Sequence, residues 1–176
     1  PDYLTPATSG IIQNKLKLKK TTLVLDINLG CSGYTHGLIT IASLMKNLNL
    51  SKGLLCVGDV TSKLVNNRDN IANLLFSDAA SVTALENKKS NIDNLFCNFL
   101  SDGGGFKDII VPSHSLSGRN KLDENQLKEF SDKKNNFRSN VNISLNGPNI
   151  FSFAINNIPN ILKNIIKKFK NINYCF

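Results

Sequence analysis

The segment TTLVLDINLGCSGYTHGLITIASLMKNLNLSKGLLCVGD, residues 21–59, most narrows what this chain can fold into. It opens with a nearly continuous apolar run, Leu23 to Leu25 with Ile27, the pattern of a strand buried on both faces. Small residues follow around Cys31, and then Leu38, Ile41, Ala42, Met45 and Leu48 recur at helical spacing, which predicts a helix from about Ser32 to Asn47. A second buried strand is predicted over Leu54–Asp59, so strand, helix and strand have the pattern of a right-handed parallel crossover. The chain is therefore expected to be α/β.

Ahead of this unit, Ile11, Ile12, Leu16 and Leu18 predict a short helix with Ser9 as a candidate N-cap. Behind it, the apolar Leu74 to Phe76 meets the small-residue turn SDAAS, and VTALE reads as a strand. Two further short strands are predicted in IDNLFCNFLSD, where Leu95, Cys97 and Phe99 alternate, and in FKDIIVP. Residues 115–140 are polar and lack apolar periodicity, so they read as a long surface excursion with one short helix near Glu124 to Phe130. After Asn146-Gly147-Pro148, the stripe Ile150, Phe151, Ala154, Ile158, Ile161, Leu162 and Ile165 describes a helix to about Phe169. Pro159 lies inside it and either kinks or restarts it. NINYCF reads as one more strand, and no internal repeat is visible.

With 176 residues the chain suffices for one globular domain of ordinary size. No run approaches the roughly 18 apolar residues needed to cross a bilayer, and PDYLTPATSG lacks the pattern of a secretory signal, so a cytoplasmic protein off the membrane is expected. The net charge of +8 suits an acidic partner. Its lysines, gathered at 15–20 and 163–170, are not interleaved with aromatic residues as a nucleic-acid platform requires, and most are expected to coat solvated faces. Cysteines 31, 56, 97 and 175 form no CxxC pair, and His36 and His114 fall at no metal-ligand spacing, so free thiols and no metal are expected. SDGGGF lacks the lysine and spacing of a phosphate loop and reads as a surface turn.

Chemistry concentrates at DINLGCSGY, residues 26–34. A cysteine at the first turn of a helix meets unpaired amides and the positive end of the dipole, both of which favour a thiolate. Gly30, Ser32 and Gly33 are small enough to admit a substrate, and amides at such a turn can hold the oxyanion of a tetrahedral intermediate. Physical chemistry alone leaves open whether Cys31 is a nucleophile or an inert buried thiol.

Residues 26–86 closely resemble the beta-ketoacyl-acyl-carrier-protein synthase III family, a branch of the thiolase-like condensing enzymes. The carrying residues are Asp26, Ile27, Asn28, Cys31, Ser32, Gly33 and Tyr34, followed at family spacing by VGDVTSK, LLFSDAAS, SDGGG and NGPNIFSFAINNIP. The resemblance implies a layered α/β/α/β/α architecture, here incomplete, in a subunit close to twice this length. Residues 1–86 would belong to the nucleophile-bearing first half and 87–176 to the start of the second, together one partial unit. It also implies a Cys-His-Asn triad in which Cys31 accepts the acyl group, with the histidine and asparagine beyond Phe176 and neither His36 nor His114 in their place.

By the same resemblance, Leu75, Phe76, Gly147, Phe151 and Ala154 line the acyl pocket or its approach, although core packing explains each equally well taken singly. Acyl-coenzyme A is implied as substrate, with no permanently bound cofactor, and an acidic acyl carrier protein and a second copy of the chain are implied as partners. Two departures bear on specificity. Where the family has Thr-Asp-Arg, the arginine contacting the adenine end of coenzyme A, this chain has Arg68, Asp69 and Asn70, and Asp-Gly-Ala-Gly is replaced by Asp78, Ala79, Ala80 and Ser81. The competing readings are an acyltransferase without condensation and a non-catalytic subunit that docks a carrier protein.

Overall fold

The computed structural model describes residues 3, 5–88, 96–113, 123–133 and 135–168. Two compact units divide the chain, one of residues 1–57 and 81–91 and the other of 58–80 and 92–176.

In the first unit, α1 (Thr8–Lys15) and α2 (Gly33–Asn47) precede β1 (Lys52–Asp59), which pairs with β2 (Ala79–Glu86). The Asn87 amide donates to the Ser51 carbonyl at one end of this pair, and Gly58 lies against Ala80 at the other, so the two strands run antiparallel. The helix around Ser32–Asn47 and the strands over Leu54–Asp59 and VTALE appear where the periodicity places them. Helix α2 approaches β1 closely because two glycines allow it. A Cβ on Gly37 would stand 2.7 Å from Leu55 Cδ1, and one on Gly53 would stand 2.7 Å from Ile41 Cδ1 and 2.9 Å from Met45 Sδ. Met45 is consequently buried at 4 % exposure.

Three expectations need correction here. TTLVLDIN is extended but joins no ladder among the described residues, and Leu23, Leu25 and Ile27 remain exposed. A run apolar on both faces becomes a buried strand only when neighbouring strands and layers flank it, and none does so among the described residues. Among the described residues no parallel crossover forms, and β1 instead pairs with the strand that follows it. Ser9 is not the cap of α1: Ala7 holds that position, and the acceptor comes from Asp26, whose carboxylate takes the Thr8 amide at 2.7 Å and the Ser9 amide at 2.8 Å.

The second unit begins with a 3-10 turn, Thr61–Leu64, and a single helical turn, α3 (Ala72–Leu75). The strand expected in IDNLFCNFLSD does not form over residues 96–102, the rest of it lying outside the described residues. FKDIIVP contributes only β3 (Ile109–Ile110), which pairs antiparallel with β6 (Ser144–Leu145). Between them lie α4 (Glu124–Leu127), closed by a reciprocal capping box of Asp123 and Gln126, and the antiparallel pair β4 (Phe130–Ser131) and β5 (Phe137–Arg138). The helix expected to Phe130 therefore ends after one turn. Nor is this excursion simply surface, since Asn136, Arg138 and Ser139 are buried. Its backbone bonds onto the earlier turn, with the Ile143 amide on the Leu64 carbonyl at 2.8 Å and the Phe137 amide on the Arg68 carbonyl at 3.3 Å.

The chain continues into α5 (Gly147–Lys168), which runs unbroken through Pro159. Proline costs this helix one amide, that facing the Ile155 carbonyl, without ending it. The Asn146 side-chain oxygen faces the Asn149 amide at 3.5 Å, an N-cap arrangement that fits the Asn-Gly-Pro start. Phe151, Ile155, Ile158, Leu162 and Ile166 along α5 are exposed. NINYCF, His114 and Cys175 lie outside the described residues.

Candidate active site

Cys31 occupies the turn that feeds α2, and its thiol is free and exposed. The Gly33 amide closes this turn on the Gly30 carbonyl at 2.7 Å, and the His36 amide, the Thr35 hydroxyl and His36 Nδ1 all converge on the Ser32 carbonyl at 2.9–3.0 Å. No side chain caps α2, so the positive end of a 15-residue helix is left facing the segment that carries the thiol. Open space surrounds Gly30 where a side chain would stand. Opposite, the Tyr34 hydroxyl meets Thr83 Oγ1 at 3.3 Å and ties the first turn of α2 to β2.

The segment leading into this turn is fixed at Asp26. The Ser9 hydroxyl and the amides of Ser9 and Thr8 beside it hold the Asp26 carboxyl below the ordinary aspartate value. Sequence reasoning placed Asp26 in the motif without giving it a task. Its contact with α1, 17 residues earlier, has no signal in local spacing.

The remaining candidate residues lie in the second unit. Leu75 ends α3, Phe76 follows it, and Leu75 is 67 % exposed. The chain is pinned just beyond them by Asp78, which accepts from the Ser62 amide at 2.8 Å and the Ser62 hydroxyl at 2.7 Å. These bonds, with Lys63 nearby, lower the Asp78 carboxyl from its ordinary value. On the other strand Gly58 leaves room for Ala80: a Cβ there would stand 3.0 Å from that of Ala80.

Gly147, Phe151 and Ala154 share the first two turns of α5. Ala154 lines a shallow apolar depression of about 270 Å³ with Ile155, Ile158 and Pro159, while Phe151 is exposed. Gly147 has open space where a side chain would be. On the same helix, Asn149, Phe153 and Asn156 line a wider cleft of about 580 Å³ with Asp102 and Asp108. SDGGGF forms its rim as a 3-10 turn, with the Gly104 amide on Asp102 Oδ1 at 2.8 Å, which is the surface turn expected of it. Among the described residues, no three His, Cys, Asp or Glu side chains gather as a metal site. None of the helices described is long and apolar enough to cross a membrane.

Arg68 is half exposed and engaged within the protein. Its guanidinium stacks on Phe137, 4.2 Å from the ring centroid, and pairs with the Glu129 carboxylate, whose other oxygen accepts from Asn66 Nδ2 at 2.7 Å. Next to it, Asp69 is buried at 1 % exposure and forms a network that the sequence did not announce. Asp69 Oδ1 accepts the Ile71 and Ala72 amides at 3.0 Å, while Oδ2 lies 3.5 Å from Arg138 Nε. Arg138 donates in turn to Asp132 at 2.7 Å and to Ser144 Oγ at 3.1 Å.

Comparison of this fold with solved structures places the chain in a class. A crystal structure of a 3-oxoacyl-(acyl-carrier-protein) synthase III superposes with a TM-score of 0.90 at 26% identity, covering 98% of this chain and 51% of that one. The corresponding synthase of Burkholderia xenovorans matches with a TM-score of 0.76 at 31% identity, over 98% of this chain and 47% of that one. The fold is thus an incomplete thiolase-like α/β fold.

Sequence comparison carries this one step further. Residues 25–103 match the model of the 3-oxoacyl-[acyl-carrier-protein] synthase III family. Beta-ketoacyl-[acyl-carrier-protein] synthase III of Clostridium tetani is 34% identical over 99% of this chain and 52% of its own length. Synthase III 2 of Staphylococcus epidermidis is 31% identical over 96% of this chain and 47% of its own. The chain is thus similar over nearly its whole length to members of the beta-ketoacyl-acyl-carrier-protein synthase III family, and it spans about half the length of the curated relatives it matches.

Proposed function

We propose that this chain is the nucleophile-bearing part of an acyl-transferring condensing enzyme of fatty-acid or related acyl-chain synthesis, in which Cys31 takes an acyl group from acyl-coenzyme A. The observation that carries this reading is the exposed Cys31 thiol at the uncapped start of α2, within a motif that matches the family in register. The Cys31 thiolate attacks the thioester carbonyl carbon. Amides at the turn stabilise the oxyanion, the carbon-sulfur bond to coenzyme A breaks, and the coenzyme A thiolate leaves and takes up a proton. Malonyl-carrier protein then loses carbon dioxide, and the resulting carbanion attacks the Cys31 thioester, releasing the thiolate and a 3-oxoacyl product. This second step requires the family's histidine and asparagine, whose place neither His36 nor His114 takes. Alone, the 176 residues acylate themselves but do not condense.

Leu75, Phe76, Gly147, Phe151 and Ala154 meet the acyl chain or its approach, and Arg68 meets coenzyme A once it exchanges Glu129 for the incoming anion. The net charge of +8 supports docking of an acidic carrier protein. The complete enzyme works in the cytoplasm as a homodimer. Intact-mass spectrometry after incubation with acetyl- and longer acyl-coenzyme A tests the reading. A thioester on Cys31, absent in Cys31→Ala, is expected. No adduct on this chain or on the complete protein would overturn it.

A further inference from the structure

Helix α2 begins without the side-chain cap that an exposed helix start ordinarily uses. Ser32 holds the N-cap position, yet its backbone, at φ -87° and ψ 2°, is not extended as a cap's is, and its side chain takes none of the helix amides. Among the described residues nothing accepts from the Tyr34 or Thr35 amide. Free amides at a helix start favour an anion, and a cap would occupy them. An uncapped first turn frays, however, unless something outside the helix holds it.

Tyr34 supplies that hold. From the first turn of α2 its hydroxyl meets Thr83 Oγ1 of β2 at 3.3 Å, across 49 residues of sequence. Three residues on, and so on the same face of the helix, Gly37 lies against Leu55 of β1. The start of α2 therefore rests on both strands of the pair, on β1 by close apolar packing and on β2 by two hydroxyls. Of the two contacts, the hydroxyl pair acts nearer to Cys31. Strand β2 is a firm support for it, because the Asn87 amide and side chain beyond its end donate to the Ser51 and Leu50 carbonyls.

We propose that Tyr34 and Thr83 form a positioning pair, which holds the first turn of α2 on β2 in place of a cap and so keeps its free amides available to the Cys31 thiolate. This rests on the reading of Cys31 as the nucleophile. The arrangement separates two tasks. The hydroxyl pair orders the turn from the side, and the amides at its end stay open for charge. Both oxygens are needed, since valine in place of Thr83 and phenylalanine in place of Tyr34 keep the shape and lose the bond.

The test labels the full 176-residue chain with iodoacetamide and maps the adducts by digestion, reading Cys31 against Cys56, a second exposed thiol of the same unit. In Tyr34→Phe and in Thr83→Val the Cys31-to-Cys56 ratio at neutral pH is expected to fall about threefold, the scale of one exposed hydrogen bond, and the midpoint of the Cys31 pH profile to rise. The double variant should lose no more than either single one, because both remove the same contact, and Thr83→Ser should keep the ratio of the unsubstituted chain. An unchanged ratio in both single variants overturns the proposal, and so do losses that multiply in the double variant. Should Thr83→Val fail to fold, Thr83→Ser and Tyr34→Phe decide, the pair standing only if the first keeps the ratio and the second loses it. Acetyl-coenzyme A offered to the same variants should acylate Cys31 in the same rank order. Absence of any acyl adduct on the unsubstituted chain, beside the labelling differences, overturns the acyl-transfer reading and leaves the pair acting on the thiol alone.

Discussion

The turn around Cys31 and the turn from Asn66 to Ala72 hold their places by opposite means. The first is built from small residues, joined by backbone and short side-chain bonds, and its helix seats on β1 through apolar contact at Gly37, Gly53 and Met45. The second is held by charge: Asp69 and Arg138 are buried, Glu129 and Phe137 clasp Arg68, and residues far along the chain supply the partners. Small residues leave a thiol reachable, whereas a carboxylate network leaves a backbone immobile.

The contrast is broken most completely at the thiol. Cys31→Ala should abolish acyl adduct formation while leaving thermal unfolding nearly unchanged, because the side chain packs against little; a large drop in melting temperature would mean that the turn is structural. Next in size, Arg138→Met strands two carboxylates that faced it, and removal of one member of a buried ionic set costs about 3–5 kcal/mol. Urea unfolding should register it, and a loss under about 1 kcal/mol would show the network to be solvated. In the first unit, Gly53→Val drives methyl groups into Ile41 and Met45 at 2.7 and 2.9 Å and should cost about 1–3 kcal/mol by the same measurement.

Smaller effects separate the two turns more finely. Asp26→Ala removes the acceptor for the first amides of α1 and should cost about 0.5–1 kcal/mol, in the range of a lost helix cap at an exposed site. Asp26 and Asp78 both titrate below their ordinary value of 3.8 in the folded chain. Their contribution is therefore fully present above that value and is lost as pH falls through the lower, folded values. Stability measured from about pH 5 down to about pH 2 should fall less steeply in Asp26→Asn than in the unsubstituted chain. An identical slope would remove Asp26 from the account of how the nucleophile segment is anchored. Glu129→Gln should change stability least, by about 0.5 kcal/mol or less, because the Arg68–Glu129 pair is half exposed.

How much of this was legible in the sequence depended on the range of the interaction. Helix α2, β1, β2 and α5 were readable because apolar spacing within each segment is a local property, and Cys31 stood out because its neighbours are all small. TTLVLDIN misled for the same reason. Its composition encodes burial on both faces, but burial needs neighbours that composition cannot provide. The excursion was misread in the opposite sense, as solvated surface, since Asn136, Arg138 and Ser139 look polar whether they face water or one another.

The sequence by itself determined the family resemblance and the main helices, because each is written in short-range pattern and register. Tertiary structure alone decided that Asp26 caps α1, that Arg68 is held by Glu129 and Phe137, and that Asp69, facing the buried Arg138, takes the first amides of α3. Side chains far apart in the chain become partners only when the fold brings them within hydrogen-bonding reach, and whether a charge is solvated or buried is settled at that distance.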